Sequence, residues 1–257
     1  MPDDVLWEVP FQALLSPSQR YLLDDYAISY APSLTALKAM MQVKLERRHS
    51  TQKLQLLAMG NPVSRDKELP SLPFAQAEVR RLGQIYGENQ SRVYVGAEAR
   101  ESRLKAEAGD AKILHLATHA ILDNVSPLYS HLLLAVDSGD YQENGLLEAW
   151  ELLRMNLRAE LVVLSACETA RGRVGAGEGV IGLSWALLVS GVPTTVLSQW
   201  KVESASTSQL MIAFHKSRKN GLGEAQAMRV AALNIRKDHT YTHPFYWAPF
   251  IVIGASR

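Results

Sequence analysis

Lys112–Ala120 (KILHLATHA) and Leu161–Gly172 (LVVLSACETARG) decide how this chain is read. Each is a short apolar run that closes on one chemically capable residue, His119 in the first and Cys167 in the second. Short apolar runs bounded by turn residues mark strands buried on both faces. In open α/β sheets, ligands bind beyond the carboxyl ends of such strands. If these two strands are neighbours, the imidazole and the thiol face one cleft.

Working outward, Leu54–Met59 is a third apolar run, stopped by Gly60-Asn61-Pro62. Arg92–Val95, His131–Asp137, Thr194–Trp200 and Trp247–Gly254 read as further strands. Between them the spacing predicts helices over Phe74–Tyr86, Glu101–Ala108, Leu146–Arg154, Gly179–Ser190, Ser204–Lys216 and Leu222–Arg236. Arg103, Lys105 and Glu107 read as solvated positions. Such alternation argues for an α/β fold, a parallel-dominated sheet with helices on both faces. The pattern before Lys53 is different. Val5–Phe11 reads as a strand, Gln19–Tyr30 as a hairpin turning at Asp24-Asp25, and Leu34–Arg47 as a helix with Ser33 as its N-cap. A strand entered straight from the turn Pro2-Asp3-Asp4 ordinarily has a partner upstream. A chain cut from a longer one and a short N-terminal edge strand both fit that start.

The bulk numbers exclude several classes. At 257 residues with 47% hydrophobic and 21% charged residues, the chain is an ordinary globular protein with a substantial core. A net charge of +1 gives no electrostatic footprint of a nucleic-acid binder. The single cysteine forms no internal disulfide. The opening MPDDVLWEV does not read as a signal peptide, and no stretch reaches the ~18 apolar residues of a membrane span. A cytoplasmic location follows by elimination. One cysteine and the pair His115 and His119 do not make a zinc site, so neither metal nor cofactor is expected.

A lone cysteine is more often a small buried hydrophobe than a nucleophile. Cys167, however, follows a strand and precedes the glycine-rich stretch Arg171–Glu178. A thiol needs a lowered pKa or a neighbouring base to attack. His119 lies 48 residues upstream of Cys167, and about 50 is the spacing of caspase-type peptidases. His115 lies inside its strand and reads as a core histidine, and His131 as a neighbour of the site. His49 lies in a basic stretch, and His215, His239 and His243 lack strand-end placement. The backbone amides of Cys167 and Ala120 are the natural oxyanion donors. Arg171–Glu178 lacks the Lys-Ser/Thr of a phosphate loop and reads as a mobile active-site loop.

HLATHA, LVVLSACETARG, Gly177-Glu178-Gly179, the strand ending in Ser198-Gln199-Trp200 and the closing His243-Pro244-Phe245-Tyr246-Trp247 together resemble the CHAT domain. That family is caspase-like and related to separases, caspases and gingipains. VPFQALL and YAISYAPSLTAL are similar to its N-terminal part, so the likeness runs from about Val5 to the end. It implies a caspase-like three-layer α/β/α sandwich with a mostly parallel central sheet and an N-terminal β-hairpin/helix extension. Residues 1–50 then form the N-terminal part of the CHAT region and 51–257 the peptidase subdomain.

The resemblance implies a dyad of His119 and Cys167 in an intracellular cysteine endopeptidase. Ala120 stands where caspases have glycine, and either supplies an amide. Ser165 stands where caspases carry the glutamine of the specificity pocket, so a preference for aspartate is not carried over. Ser198 and Trp200 resemble the strand that pairs with substrate backbone in caspases. Asp66 and Glu68, in the loop after the first core strand, and Glu168 are candidate acids for cleavage after Arg or Lys. Each also reads as a solvated acid. The implied partners are a protein substrate and a regulatory partner or TPR region, with no nucleic acid and no membrane. Arg171 and Arg173 are then possible self-cleavage points. Two other readings stay open: a catalytically silent caspase-like scaffold, and acyl transfer by the same nucleophile and base.

Overall fold

The computed structural model describes residues 1–2, 4–47, 52, 54–123, 125–136, 143–165, 167–168 and 178–256; at 4, 5, 167, 168 and 178–181 it describes the backbone alone. The chain enters through two 3-10 turns, Asp4–Glu8 and Phe11–Ala13, then α1 (Leu22–Asp25) and α2 (Leu34–Arg47). Alternation follows: β1 (Leu54–Pro62), α3 (Pro73–Tyr86), β2 (Ser91–Gly96), α4 (Glu101–Glu107) and β3 (Ala111–Ala117). Next come β4 (His119–Ile121), β5 (His131–Leu133), β6 (Leu146–Glu148), α5 (Ala149–Arg154), β7 (Leu161–Leu164) and β8 (Cys167–Glu168). The chain closes with α6 (Glu178–Val189), β9 (Thr194–Ser198), α7 (Ser204–Lys219), α8 (Glu224–Ile235), α9 (Pro244–Trp247) and β10 (Phe250–Gly254).

The main sheet has the order β10-β9-β7-β3-β1-β2, parallel throughout except for the antiparallel pair β9 and β10. Its strands are apolar on both sides because both faces are covered. Leu57, Met59, Leu114, Leu116, Val162 and Leu164 pack with Leu152, Leu183 and Leu187 of α5 and α6. The alternate residues Leu56, Ala58, Ile113, Leu161 and Val163 pack with Val79 and Leu82 of α3 and with Leu210, Phe214 and Met228 of α7 and α8. The result is the three-layer α/β/α arrangement expected. Gly60 sets how closely β1 approaches α3: a Cβ there would lie 2.8 Å from both the Ala75 carbonyl oxygen and Val79.

The N-terminal part is helical where strands are expected. Val5–Glu8 and Phe11 lie in 3-10 turns, and Gln19–Tyr30 contains α1, with Tyr21 forming an isolated antiparallel bridge to Leu15. Aromatic packing wins over strand propensity here. Trp7 and Phe11 close on the Tyr30 ring at 6.1 and 5.8 Å, and the Tyr30 hydroxyl donates to the Val9 carbonyl at 2.9 Å. Tyr30 itself is pinned to the edge of β10, donating to Val252 and accepting from Gly254 at 2.8 Å each. Asp24 holds α1 through the Tyr21 amide and Arg236. Ser33 caps α2 as expected, accepting from the Ala36 amide at 3.0 Å.

Two other expectations change. Leu146–Arg154 is split: Leu146–Glu148 pairs with β5, and a reciprocal cap between Glu148 and Glu151 starts α5. Lys105 is not solvated but bound by Glu101, Glu143 and Glu151 at 2.7 to 2.9 Å. Burial opposes its charge, and the hydrogen bonds to Glu143, Glu151 and Glu101 outweigh burial and hold it above its ordinary value.

Candidate functional site

The site grows out of the middle of the main sheet. There β3 and β7 run side by side, with Leu116 opposite Leu164. Both chains break and resume. The first passes through Thr118 into β4, and the second resumes as β8. Thr118 fixes the first break by donating its hydroxyl to the Leu133 carbonyl of β5. These segments form a second sheet in the order β6-β5-β4-β8. In it β4 and β8 are again parallel neighbours, with His119 opposite Cys167 and Ala120 opposite Glu168. Neighbouring strands lie about 4.8 Å apart, so the backbones carrying the two singled-out residues are adjacent.

His119 is not at the solvent surface as its strand-end position suggests; only 5% of it is exposed. The loop between β1 and α3 covers it. Nε2 lies 2.9 Å from the Pro70 carbonyl oxygen. A carbonyl only accepts, so Nε2 carries the hydrogen. That leaves Nδ1 as the acceptor of a neutral ring. Nδ1 is buried and has no hydrogen-bond partner among the described residues. An unmet buried acceptor costs about 1–3 kcal/mol, and such atoms in native proteins call for an explanation.

The other predicted residues distribute as follows. Asp66 folds the loop that covers His119, accepting from the Glu68 amide at 3.0 Å; Glu68 is exposed. Ser165 and Ser198 are both buried, each one residue beyond the last rung that pairs β7 with β9. Ser165 Oγ has no hydrogen-bond partner among the described residues. The strand expected through Trp200 stops at Ser198, where the pairing with β10 ends; the pairing with β7 ends one residue earlier. Trp200 lies past that ladder and donates its indole N–H to the Phe245 carbonyl at 3.3 Å. His131 sits on β5 opposite Ile121 and donates from Nδ1 to the Tyr129 carbonyl. The side chains of Cys167 and Glu168, the residues Arg171 and Arg173 with their loop up to Gly177, and His49 lie outside the described residues.

His115, the neighbour of His119 on the same run, is a core histidine as read. Its Nε2 meets Glu78 at 2.6 Å and its Nδ1 meets His215 Nε2 at 3.1 Å. His215 Nδ1 in turn meets the Tyr86 hydroxyl at 3.0 Å. One direction of donation satisfies every atom, from Tyr86 through both rings to the Glu78 carboxylate. Burial, the neighbouring His115 and Arg218 push the His215 imidazole well below its ordinary value. Sequence reading missed Pro70 and this relay. The relay joins residues 37 and 100 positions apart, and no local pattern marks such a pairing.

Among the described residues no group of three or more His, Cys, Asp or Glu is placed to hold a metal ion. No helix among them is long and apolar enough to cross a membrane.

The architecture matches known structures. Separase from Saccharomyces cerevisiae, solved with securin, superposes with a TM-score of 0.65 at 14% identity, covering 98% of this chain and 15% of that one. The Arg-specific cysteine proteinase gingipain R superposes with a TM-score of 0.53 at 9% identity, covering 85% of this chain and 51% of that one. Both are caspase-like cysteine peptidases, and the likeness establishes a caspase-like fold here. Among curated proteins, tetratricopeptide repeat protein 28 of Homo sapiens is 25% identical over 97% of this chain. This chain spans 12% of that relative's length. Residues 1–255 match the model of the CHAT domain, and the chain belongs to the CHAT domain family.

Proposed function

We propose that this chain is a cysteine endopeptidase in which Cys167 and His119 act as a dyad. The observation that carries the reading is the half-satisfied imidazole. His119 is anchored through Nε2 on the Pro70 carbonyl, its Nδ1 is buried without a partner among the described residues, and its backbone lies opposite Cys167. In this reading Nδ1 accepts the thiol proton while sulfur attacks the scissile carbonyl carbon. The carbonyl electron pair moves to oxygen, which is assigned to the amide of Cys167; Ala120, the second donor expected from the sequence, is paired on β4 with Leu132 of β5 and Glu168 of β8. Collapse of the adduct expels the amine, which takes the proton from Nδ1. Water then attacks the thioester with Nδ1 as base, releasing the acid and restoring the thiol.

The substrate is an extended protein segment. Its recognition is assigned to the rim around Ser165, Ser198 and Trp200, where backbone pairing beyond the end of β9 adds a strand. A preference for Arg or Lys rests on Asp66 and Glu68, in the same loop as the Pro70 that touches His119, with Glu168 as a third acid beside the nucleophile. A regulatory protein partner belongs to the proposal, in keeping with a curated relative named for its repeats and with securin in the separase structure.

The test is cleavage of a mixed fluorogenic peptide library by the wild type and by Cys167→Ala. Cleavage after Arg or Lys that vanishes in the variant is the expected result. Cleavage after another residue keeps the dyad and removes the role of Asp66 and Glu68. The second reading is a catalytically silent scaffold. It predicts no turnover by either protein and no His119-dependent labelling by an electrophile-tipped peptide.

A further inference from the structure

The loop that anchors His119 is itself tied down at one point. Val63–Leu72 joins β1 to α3 with short internal turns, Asp66 to Ser64 and Glu68 to Asp66, at 3.0 Å each. Asn61, the penultimate residue of β1, reaches across it. Its Oδ1 accepts from the Leu72 amide at 2.7 Å and from the Ser71 hydroxyl at 3.2 Å. Its Nδ2 donates to Gln76 Oε1 of α3 at 3.3 Å. The carbonyl that receives His119 Nε2–H belongs to Pro70, and its peptide plane is shared with Ser71. The two groups held by Asn61 belong to the two residues that directly follow the carbonyl holding the imidazole. Asn61 adopts φ +49, in the left-handed region that asparagine tolerates better than other side chains bearing a Cβ. That geometry turns a short carboxamide back toward the start of α3, which Gly60 lets come close.

We propose that Asn61 is a positioning residue for His119: through Ser71 and Leu72 it aims the Pro70 carbonyl and so fixes the hydrogen on Nε2, leaving Nδ1 to act as base. The inference rests on the peptidase reading of His119 and adds to it a residue at the end of β1, beyond hydrogen-bond contact with the imidazole. The bland competitor is a helix cap, since Leu72 directly precedes α3. A cap affects stability and leaves the imidazole tautomer alone.

The experiment is the imidazole ¹⁵N spectrum of His119 in the full chain, with peptide turnover measured in parallel. The wild type is expected to show one tautomer, hydrogen on Nε2. Asn61→Gly keeps the left-handed backbone and removes the carboxamide. It is expected to show a mixture of tautomers and a kcat about 10- to 100-fold lower with KM within about twofold. Asn61→Asp retains the acceptor oxygen and is expected to restore the wild-type spectrum. Should Asn61→Gly not fold, Ser71→Ala at the exposed end of the loop takes its place, with a detectable second tautomer expected. A wild-type spectrum in the loosened variant overturns the proposal and leaves Asn61 a cap. The spectrum is read without turnover: a wild type silent in both turnover and electrophile labelling ends the peptidase reading, while the tautomer in Asn61→Gly still decides whether Asn61 sets the hydrogen on Nε2.

Discussion

His115 and His119 lie four residues apart on one run of chain, and both are buried, at 0% and 5% exposure. Burial does not distinguish them. The second nitrogen does. His115 has Glu78 on one side and His215 on the other, and the chain of bonds continues to Tyr86. His119 has Pro70 on one side and, among the described residues, no partner on the other. A ring satisfied at both nitrogens is a structural tie. In the proposed dyad, a ring held at one nitrogen and open at the other exchanges a proton with the thiol of Cys167, whose backbone lies opposite. The cost of leaving that acceptor unmet, about 1–3 kcal/mol, is the kind of local inconsistency that folded proteins concentrate at working sites.

The comparison breaks most sharply under alanine substitution. His119→Ala is expected to lower peptide turnover by about 10²- to 10⁴-fold, the usual worth of a general base, while the melting temperature holds or rises. His115→Ala is expected to do the reverse. It strands the Glu78 carboxylate and the His215 ring in the core, so urea unfolding should show a loss of about 3 kcal/mol, with turnover per folded molecule unchanged. Equal losses of activity in the two variants would erase the distinction.

A smaller effect sharpens it. The folded His215 imidazole sits well below the 6.5 of a free histidine, through burial, His115 and Arg218. The unfolded chain therefore takes up a proton that the folded chain refuses. The stability this group contributes is present above pH 6.5 and is lost as pH falls below it, by at most about 1.4 kcal/mol per pH unit. Melting curves between pH 7.5 and 5 should fall more steeply for the wild type than for His215→Phe. Parallel curves would show that the relay does not set the acid limit.

The sheet was legible because its strands are nearly continuous apolar runs, and a chain segment buried on both faces has little other choice of side chain. That β3 and β7 are neighbours was only a condition in the sequence, because apolar runs mark strands without stating their order in the sheet. The N-terminal part was not legible. Val5–Phe11 has strand composition, yet it wraps around Tyr30 because Trp7 and Phe11 find an aromatic partner there. Trp200 looked like strand because its neighbours do, but the ladder with β7 ends at Leu197 and that with β10 at Ser198. Lys105 looked solvated because two of its three acids, Glu143 and Glu151, come from distant positions and meet it only after folding; Glu101 is its neighbour one turn back on α4. Pro70 carries its role in a backbone carbonyl, which no side-chain pattern displays. Asn61 was visible only as part of a Gly-Asn-Pro stop after the first core run.

The most direct measurement uses the fact that Cys167 is the sole cysteine, so any thiol label reports that site alone. The rate of its labelling by an electrophile-tipped peptide at pH 7 should be compared between the wild type and His119→Ala. If the open nitrogen of His119 serves the Cys167 thiol, the wild type labels to one equivalent and the variant at least about 100-fold more slowly. Equal rates in the two proteins would contradict the account, because the imidazole would then have no part in activating the thiol.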